Sequence, residues 1–439
     1  MKCYLSIICC LCCIFPLQGY INPYQTEEPL SLEMLIDIAL RNNPDTAIAW
    51  ANVRAVKAAH CQNLSDNYVA IEYDGLGERS HISRQKAPSA TSLSYNQELA
   101  ISYLLFDFGQ RTYSHYSTWY ALKSAIYDKN WVIETVVLEV IESYTNYLDA
   151  ISQLHARFAD LEDAKLNFDI ADTLYRAGIR TRSDMLQARS DLLEAEIQKD
   201  TAEGIVEIRF GELKNALGIT QMADIQVQNL PEEFSPYEIN DKLDHLLDTA
   251  KEYRNDLKAA YASVQQREAL YSRAVVDGLP SLNVGWSAGQ RTGQKPRENY
   301  RTGAEFAVSI PIFQGYFFKN GRRRARAELD REVAVLDNSC QQSALEVVTS
   351  YYAFKTAYRT YEGTVEFLKN AEESYEVTLA NYKAGVSAFQ ALSDAQRSLT
   401  TARSQHIQAK TAWILSLSRL TYFTGMILNT NKPVYKECS

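Results

Sequence analysis

The chain lacks most of the features on which enzymes and ligand-binding proteins are built. Its six histidines, His60, His81, His115, His155, His245 and His406, fall into no HExxH or other ligand spacing, so neither a metal centre nor a cofactor is expected. There is no nucleophile elbow. "DGLGERS" (Asp74 to Ser80) has two glycines and no helix signal after it, which does not make a phosphate loop. Paired acids such as Glu372-Glu373 lie in charge-rich helical sequence and read as solvated, so no catalytic residue is expected. Eight cysteines are present, but five of them (Cys3, Cys9, Cys10, Cys12, Cys13) precede residue 14. The other three, Cys61, Cys340 and Cys438, are far apart and odd in number, which sets no disulfide framework. Positive charge is also short: 45 Lys and Arg stand against 54 Asp and Glu, a net charge of -9. That balance argues against a nucleic-acid partner, and the one basic run, Arg322-Arg323-Arg324 with Arg326, reads as a solvated helix face. Past Gly19 no apolar run reaches 18 residues, so no membrane-spanning helix is expected there.

What is present begins with a targeting segment. Lys2, the apolar run from Tyr4 to Leu17 and the small residue Gly19 read as a secretory signal over residues 1–19. The rest is organised by an internal repeat. A shift of 207 residues carries "ELAISYLLF" (Glu98 to Phe106) onto "EFAVSIPIF" (Glu305 to Phe313), with four of nine positions identical. The same shift carries Tyr175–Gln198 onto Tyr382–Gln405 with seven identities in 24. Upstream the shift is 211, pairing "LIDIALRNNPD" (Leu35 to Asp45) with "LLDTAKEYRND" (Leu246 to Asp256). A hairpin loop before Glu98 is expected to absorb the four-residue difference. The units are therefore repeat 1 over 30–218, a linker over 219–240, repeat 2 over 241–425 and a tail over 426–439.

Each repeat predicts a hairpin and a long helix. The set Leu93, Tyr95, Leu99, Ile101, Tyr103 and Leu105 alternates with Ser94, Asn96, Glu98, Ala100 and Ser102. Leu282, Val284, Trp286 and Ala288 alternate likewise, as do Phe306, Val308 and Ile310. Such strands have one apolar and one polar face. Segments of about 9–11 residues of this kind suit a transmembrane β-barrel, although a soluble sheet with one face on a core has the same pattern. Between the repeated blocks, Ile133, Val137, Val140, Tyr144, Tyr147, Ile151, Leu154, Phe158 and Leu161 recur at steps of four and three, a heptad seam. Adding 207 gives Cys340, Ala344, Val347, Tyr351, Phe354, Tyr358, Tyr361, Val365 and Leu368 at the same phase. A helix from about residue 107 to about 175 is roughly 100 Å long. Four strands per chain leave two open edges, which other copies must close.

"LLFDFGQR" (Leu104 to Arg111), "IPIFQGY" (Ile310 to Tyr316), the "YxAG" turns at Tyr175–Gly178 and Tyr382–Gly385, and the following "SDMLQAR" and "LSDAQRSL" resemble the TolC family of outer-membrane efflux proteins. The resemblance implies an α+β membrane protein, a homotrimer. Each chain would give four strands to a 12-stranded transmembrane β-barrel in outer-membrane lipid, continued by a periplasmic α-barrel of long helices. It also implies an export duct of a tripartite efflux or type I secretion system, docked to a periplasmic adaptor fed by an inner-membrane transporter. A stand-alone porin and a secreted coiled-coil scaffold are the alternatives. The site residues expected on this basis are Asp184 and Asp394 at the periplasmic aperture and the turn residues Gly178, Ile179, Gly385 and Val386 for adaptor docking. Glu98 and Glu305 are expected as lumen-facing strand carboxylates. The sequence departs from the family pattern at Tyr316, where a glycine is usual, and at Gln187 and Ala391, which replace the second aspartate of the tip pair in repeat 1 and the first in repeat 2.

Overall fold

The computed structural model describes residues 29–84, 87–223, 225–229, 242–293 and 299–428. The signal segment, residues 230–240 of the linker and residues 429–439 of the tail lie outside the described residues. Repeat 1 runs α1 (Leu32–Asn42), α2 (Pro44–Leu64), β1 (Ala70–Arg84), β2 (Ala87–Phe106), α3 (Gln110–Arg176) and α4 (Arg182–Ala216). Repeat 2 runs α5 (Leu243–Tyr253), α6 (Asn255–Val276), β3 (Ser281–Gly293), β4 (Asn299–Ser309), α7 (Phe317–Lys383) and α8 (Phe389–Phe423). No helix among the described residues is long and apolar enough to cross a membrane.

Local chemistry sets the helix boundaries. Ser31 caps α1 by accepting from the Met34 amide, and Pro44 starts α2, where its missing N–H costs nothing. Each long helix starts after two consecutive left-handed residues: Phe108 and Gly109 before α3 (φ 54° and 91°), Gly315 and Tyr316 before α7 (φ 57° and 63°). The repeat thus keeps the conformation while exchanging which position holds the glycine. Tyr316, the departure from the family pattern, occupies a strained conformation that glycine would adopt freely. Asp107 fixes the first of these junctions. It is buried, accepts from the Gly109 amide at 3.1 Å, and accepts from the Arg111 amide and Nε at 2.9 and 3.0 Å.

α3 and α7 each contain 67 residues, about 100 Å of helix. The heptad seam is half buried in a single chain. Val137, Val140, Tyr144, Leu161, Val347, Tyr351 and Phe354 are buried, whereas Phe158, Val365 and Cys340 are exposed. The helices of this one chain cover only part of the seam, so the remaining heptad positions stay exposed within it. Of the retained cysteines, Cys61 on α2 is disulfide-bonded, which the odd count did not suggest, and Cys340 is a free exposed thiol.

The sheet is antiparallel in the order β1-β2-β3-β4. Shifting β1 by 211 and β2 by 207 turns the pair Ala70 with Ser102 into Ser281 with Ser309, and Ser80 with Ser92 into Arg291 with Asn299. Every row between them follows the same rule, so the four-residue difference falls at the hairpin tips. The strands correct one expectation. They contain 15, 20, 13 and 11 residues, longer for β1 to β3 than the 9–11 read from alternation. Pairing continues past the point where the apolar alternation ends, because backbone hydrogen bonds extend a hairpin without any need for a lipid-facing side chain.

Candidate functional site

Strand register decides which residues share a face, since residues directly opposite one another point to the same side. On one side Leu99 stands opposite Tyr73 and Ala288, Ile101 opposite Ile71 and Trp286, and Val284 opposite Tyr103 and Phe306. This apolar band runs from the Leu282–Val308 row to the Ala288–Thr302 row, beyond which Gln97 and Gln290 occupy the same side. It spans about 20 Å along the strand at roughly 3.3 Å per residue, the order of a lipid-facing band. Below it the exposed rings of Phe106, Phe108, Phe313, Tyr316 and Phe317 collect where the strands become helices. Aromatic rings in that position mark a membrane–water interface.

The other side is polar. Glu98 stands opposite Asp74 on β1 and Gly289 on β3, and Glu305 stands opposite Gly285. Ser102 also stands opposite Gly285, so the two glutamates lie on the same face. A Cβ at Gly289 would come within 3.0 Å of the Gln97 carbonyl, so no side chain fills that part of the face.

At the far end of the helices two turns close the hairpins. Gly178 (φ 71°) and Gly385 (φ 78°) each end a long helix. The Gly178 amide donates to the Tyr175 carbonyl and the Ile179 amide to the Leu174 carbonyl, both at 2.9 Å. Gly385 and Val386 repeat this on Tyr382 and Asn381, the double bond of a Schellman cap. Nothing lies within 4 Å of a Cβ added at either glycine, so backbone conformation selects them. Ile179 and Val386 are 62% and 79% exposed. The two turns are tied within one chain: Arg180 Nη2 donates to the Ser387 carbonyl and its guanidinium sits 5.0 Å over the Tyr382 ring.

Asp184 lies in the first turn of α4, but the cap is Thr181, whose hydroxyl accepts from the Asp184 amide at 3.2 Å. Asp394 lies in the second turn of α8 and is exposed. Gln390 donates to it at 2.9 Å and Arg397 stands 3.6 Å away. Neither aspartate is an N-cap. Sequence reasoning missed Asp191, which accepts from Gln187 at 2.8 Å and from Ser393 at 2.7 Å, joining α4 to α8. It also missed the polar links from α3 to α8: Arg403 to Asp160 and Asp163, both 2.9 Å, Arg419 to Glu142, 2.7 Å, and Gln396 to Asn167, 2.7 Å. Their partners are more than 220 residues apart, and local spacing holds no signal of them.

Where α6 begins, Arg254 is 2% exposed and pairs with Asp256 at 2.6 Å and Glu346 at 2.7 Å. It occupies the repeat position of Asn43, and both side chains bond the last carbonyls of a returning helix, Phe423 and Ala216. Next to it Glu134 is 2% exposed and accepts from Asn255 at 2.6 Å through one oxygen, the other being unpartnered. Burial pushes its carboxyl up to about 7, against the Asn255 hydrogen bond.

An antiparallel sheet with one lipid-like and one polar face, open at both edges and continuing into helices about 100 Å long, defines a protomer of an outer-membrane channel. The chain belongs to the outer membrane efflux protein family, whose profile matches residues 35–219 and 246–426. It is similar to protein CyaE of Bordetella pertussis, 26% identical over 88% of this chain and 82% of the relative. It is also similar to the alkaline protease secretion protein AprF of Pseudomonas aeruginosa, 23% identical over 76% of this chain and 70% of that one. Among solved structures it resembles the outer-membrane channel OprN, with a TM-score of 0.80 at 18% identity over 92% and 94% of the two chains. The Campylobacter jejuni CmeC outer membrane channel gives 0.79 at 20% identity over 92% and 87%. The chain is thus an α+β outer-membrane protein of the fold expected above. Three copies of its four-stranded sheet make the twelve strands of a trimeric barrel, with the helices in the periplasm.

Proposed function

We propose that the protein is a passive export duct, receiving cargo from an inner-membrane transporter through a periplasmic adaptor and releasing it across the outer membrane. The observation that carries this reading is the pair of helical turns at the far end of the rods, each presenting an exposed apolar residue, Ile179 or Val386, at an equivalent position. Exposed apolar side chains on rigid caps suit docking by a partner, and a stand-alone porin has no use for helices of this length. Asp184 and Asp394 line the aperture of this end, and Glu98 and Glu305 line the lumen of the barrel, where rings of like charge bias which ions pass. The chain itself supplies a conduit and no chemistry. Relatives include one named for protease secretion and others named for efflux pumps, so the cargo is a secreted protein or a small molecule.

The test is a photo-crosslinking amino acid placed at Ile179 or Val386 in the native host. Capture of a periplasmic adaptor by both positions, and not by a probe at exposed Met222, is the expected result. Absence of any adaptor from both tip positions overturns the docking reading in favour of the porin.

A further inference from the structure

The internal repeat allows the contact between copies to be written residue by residue. Within one chain the first hairpin meets the second through β2 and β3, with Glu98 opposite Gly289 and Leu99 opposite Ala288. The same offsets that convert the β1–β2 pairing into the β3–β4 pairing, 211 for the first strand of each hairpin and 207 for the second, hold at all rows of β3–β4. Applied to β2–β3, they turn β2 into β4 and β3 into β1 of the next copy. Glu98 becomes Glu305 and Gly289 becomes Glu78.

We propose that β4 of one protomer pairs with β1 of the next with Glu305 opposite Glu78, so that each seam of the trimeric barrel sets two carboxylates against each other on the polar face. The lengths agree, since β4 (299–309) then lies against residues 74–84, all within β1. The faces agree as well. A register differing by an odd number would put the apolar side of one strand on the polar side of its neighbour. On the apolar side Phe306 and Val308, 64% and 55% exposed in the single chain, come to lie opposite Gly77 and Gly75. A ring or branched side chain over a strand glycine covers backbone that would otherwise face lipid.

The seam differs from the β2–β3 contact inside the chain, where Glu98 faces a glycine, and is like the first hairpin, where Glu98 faces Asp74. Glutamate faces glutamate at the roughly 5 Å spacing of a cross-strand pair, an arrangement that weakens pairing. Three seams place six carboxylates in one ring of the barrel. On the duct reading this ring faces the lumen; the register does not depend on that reading.

The experiment is disulfide trapping of the full-length protein in outer membranes, in a Cys340→Ser background. Glu78→Cys combined with Glu305→Cys is expected to give dimer and trimer ladders on non-reducing gels. Leu76→Cys or Ser80→Cys combined with Glu305→Cys is expected to give few. Ladders that favour either shifted pair, that also form in variants carrying only one introduced cysteine, or that fail for every pair while those variants assemble, overturn the register. Glu305→Gln, which removes one charge without changing shape, is expected to shift dissociation of the detergent-solubilised trimer to higher temperature and to lower cation selectivity in planar bilayers. An unchanged or lowered dissociation temperature overturns the acid-against-acid seam even if the crosslinks form.

Discussion

Single residues hold strain and charge at the joints of this molecule. Glu134 is the clearest case. Its carboxyl titrates near 7 in the native state instead of 4.5 because burial penalises the anion, opposed by Asn255, Arg254 and Lys258 and reinforced by Asp256. The native state therefore keeps a proton that the unfolded chain loses between pH 4.5 and 7. Stability from this group is full below pH 4.5, declines as pH rises, and levels off above pH 7, a total change of about 3 kcal/mol. Thermal melts of the solubilised trimer from pH 4.5 to 8 should show this decline, and Glu134→Gln should flatten it. A variant with the parent's slope would assign the pH dependence elsewhere. The left-handed pairs at the starts of α3 and α7 give a second prediction. Gly109→Ala puts a Cβ at φ 91° and should cost about 1–2 kcal/mol, whereas Tyr316→Ala leaves the same backbone strain in place and should cost less. Equal losses in a denaturant melt would mean that the Tyr316 ring, and not the backbone, governs that junction.

Elements are where periodicity speaks. Cysteines at Leu99, Trp286 or Val308 should resist a water-soluble maleimide in intact outer membranes, while those at Ser102 or Ser309 should react. The two sets occupy opposite faces by register, and only the polar face meets water in a barrel. Equal labelling would show that the apolar band is not in lipid. The alternation of Leu99, Ile101 and Tyr103 made these hairpins legible because each strand buries one side only. The upper rows were illegible for the converse reason: Gly75, Gly77, Arg79 and His81 on β1 share the outward face without sharing its hydrophobicity. The tip turns were legible from "YxAG", since a glycine at the end of a long helix answers a backbone requirement. The helix seam was legible where a second helix of the same chain buries it and misleading at Phe158 and Val365, which stay exposed in the single chain.

For the whole molecule, charge at the narrow end is the property to measure. In the aperture proposed above, Asp184 and Asp394 would recur three times in the trimer, and Arg397, which stands beside Asp394, would partly neutralise one of the two rows. Asp184→Asn combined with Asp394→Asn should lower cation selectivity in planar-bilayer recordings, with Asp184→Asn alone giving the larger share. Unchanged selectivity in an intact trimer would remove both residues from the aperture. Sequence alone determined the repeat, the four two-faced strands, the two rods, their turns and hence the family, because these follow from local geometry with periods of 2, 3.5 and 207 residues. Tertiary structure alone decided that Arg403 meets Asp160 and Asp163, that Arg180 clasps the opposite turn, and that Glu134 is sealed beside Arg254. Those contacts join residues 120 to 243 positions apart. Nothing in the local sequence selects such a partner; the packing of one helix against another does.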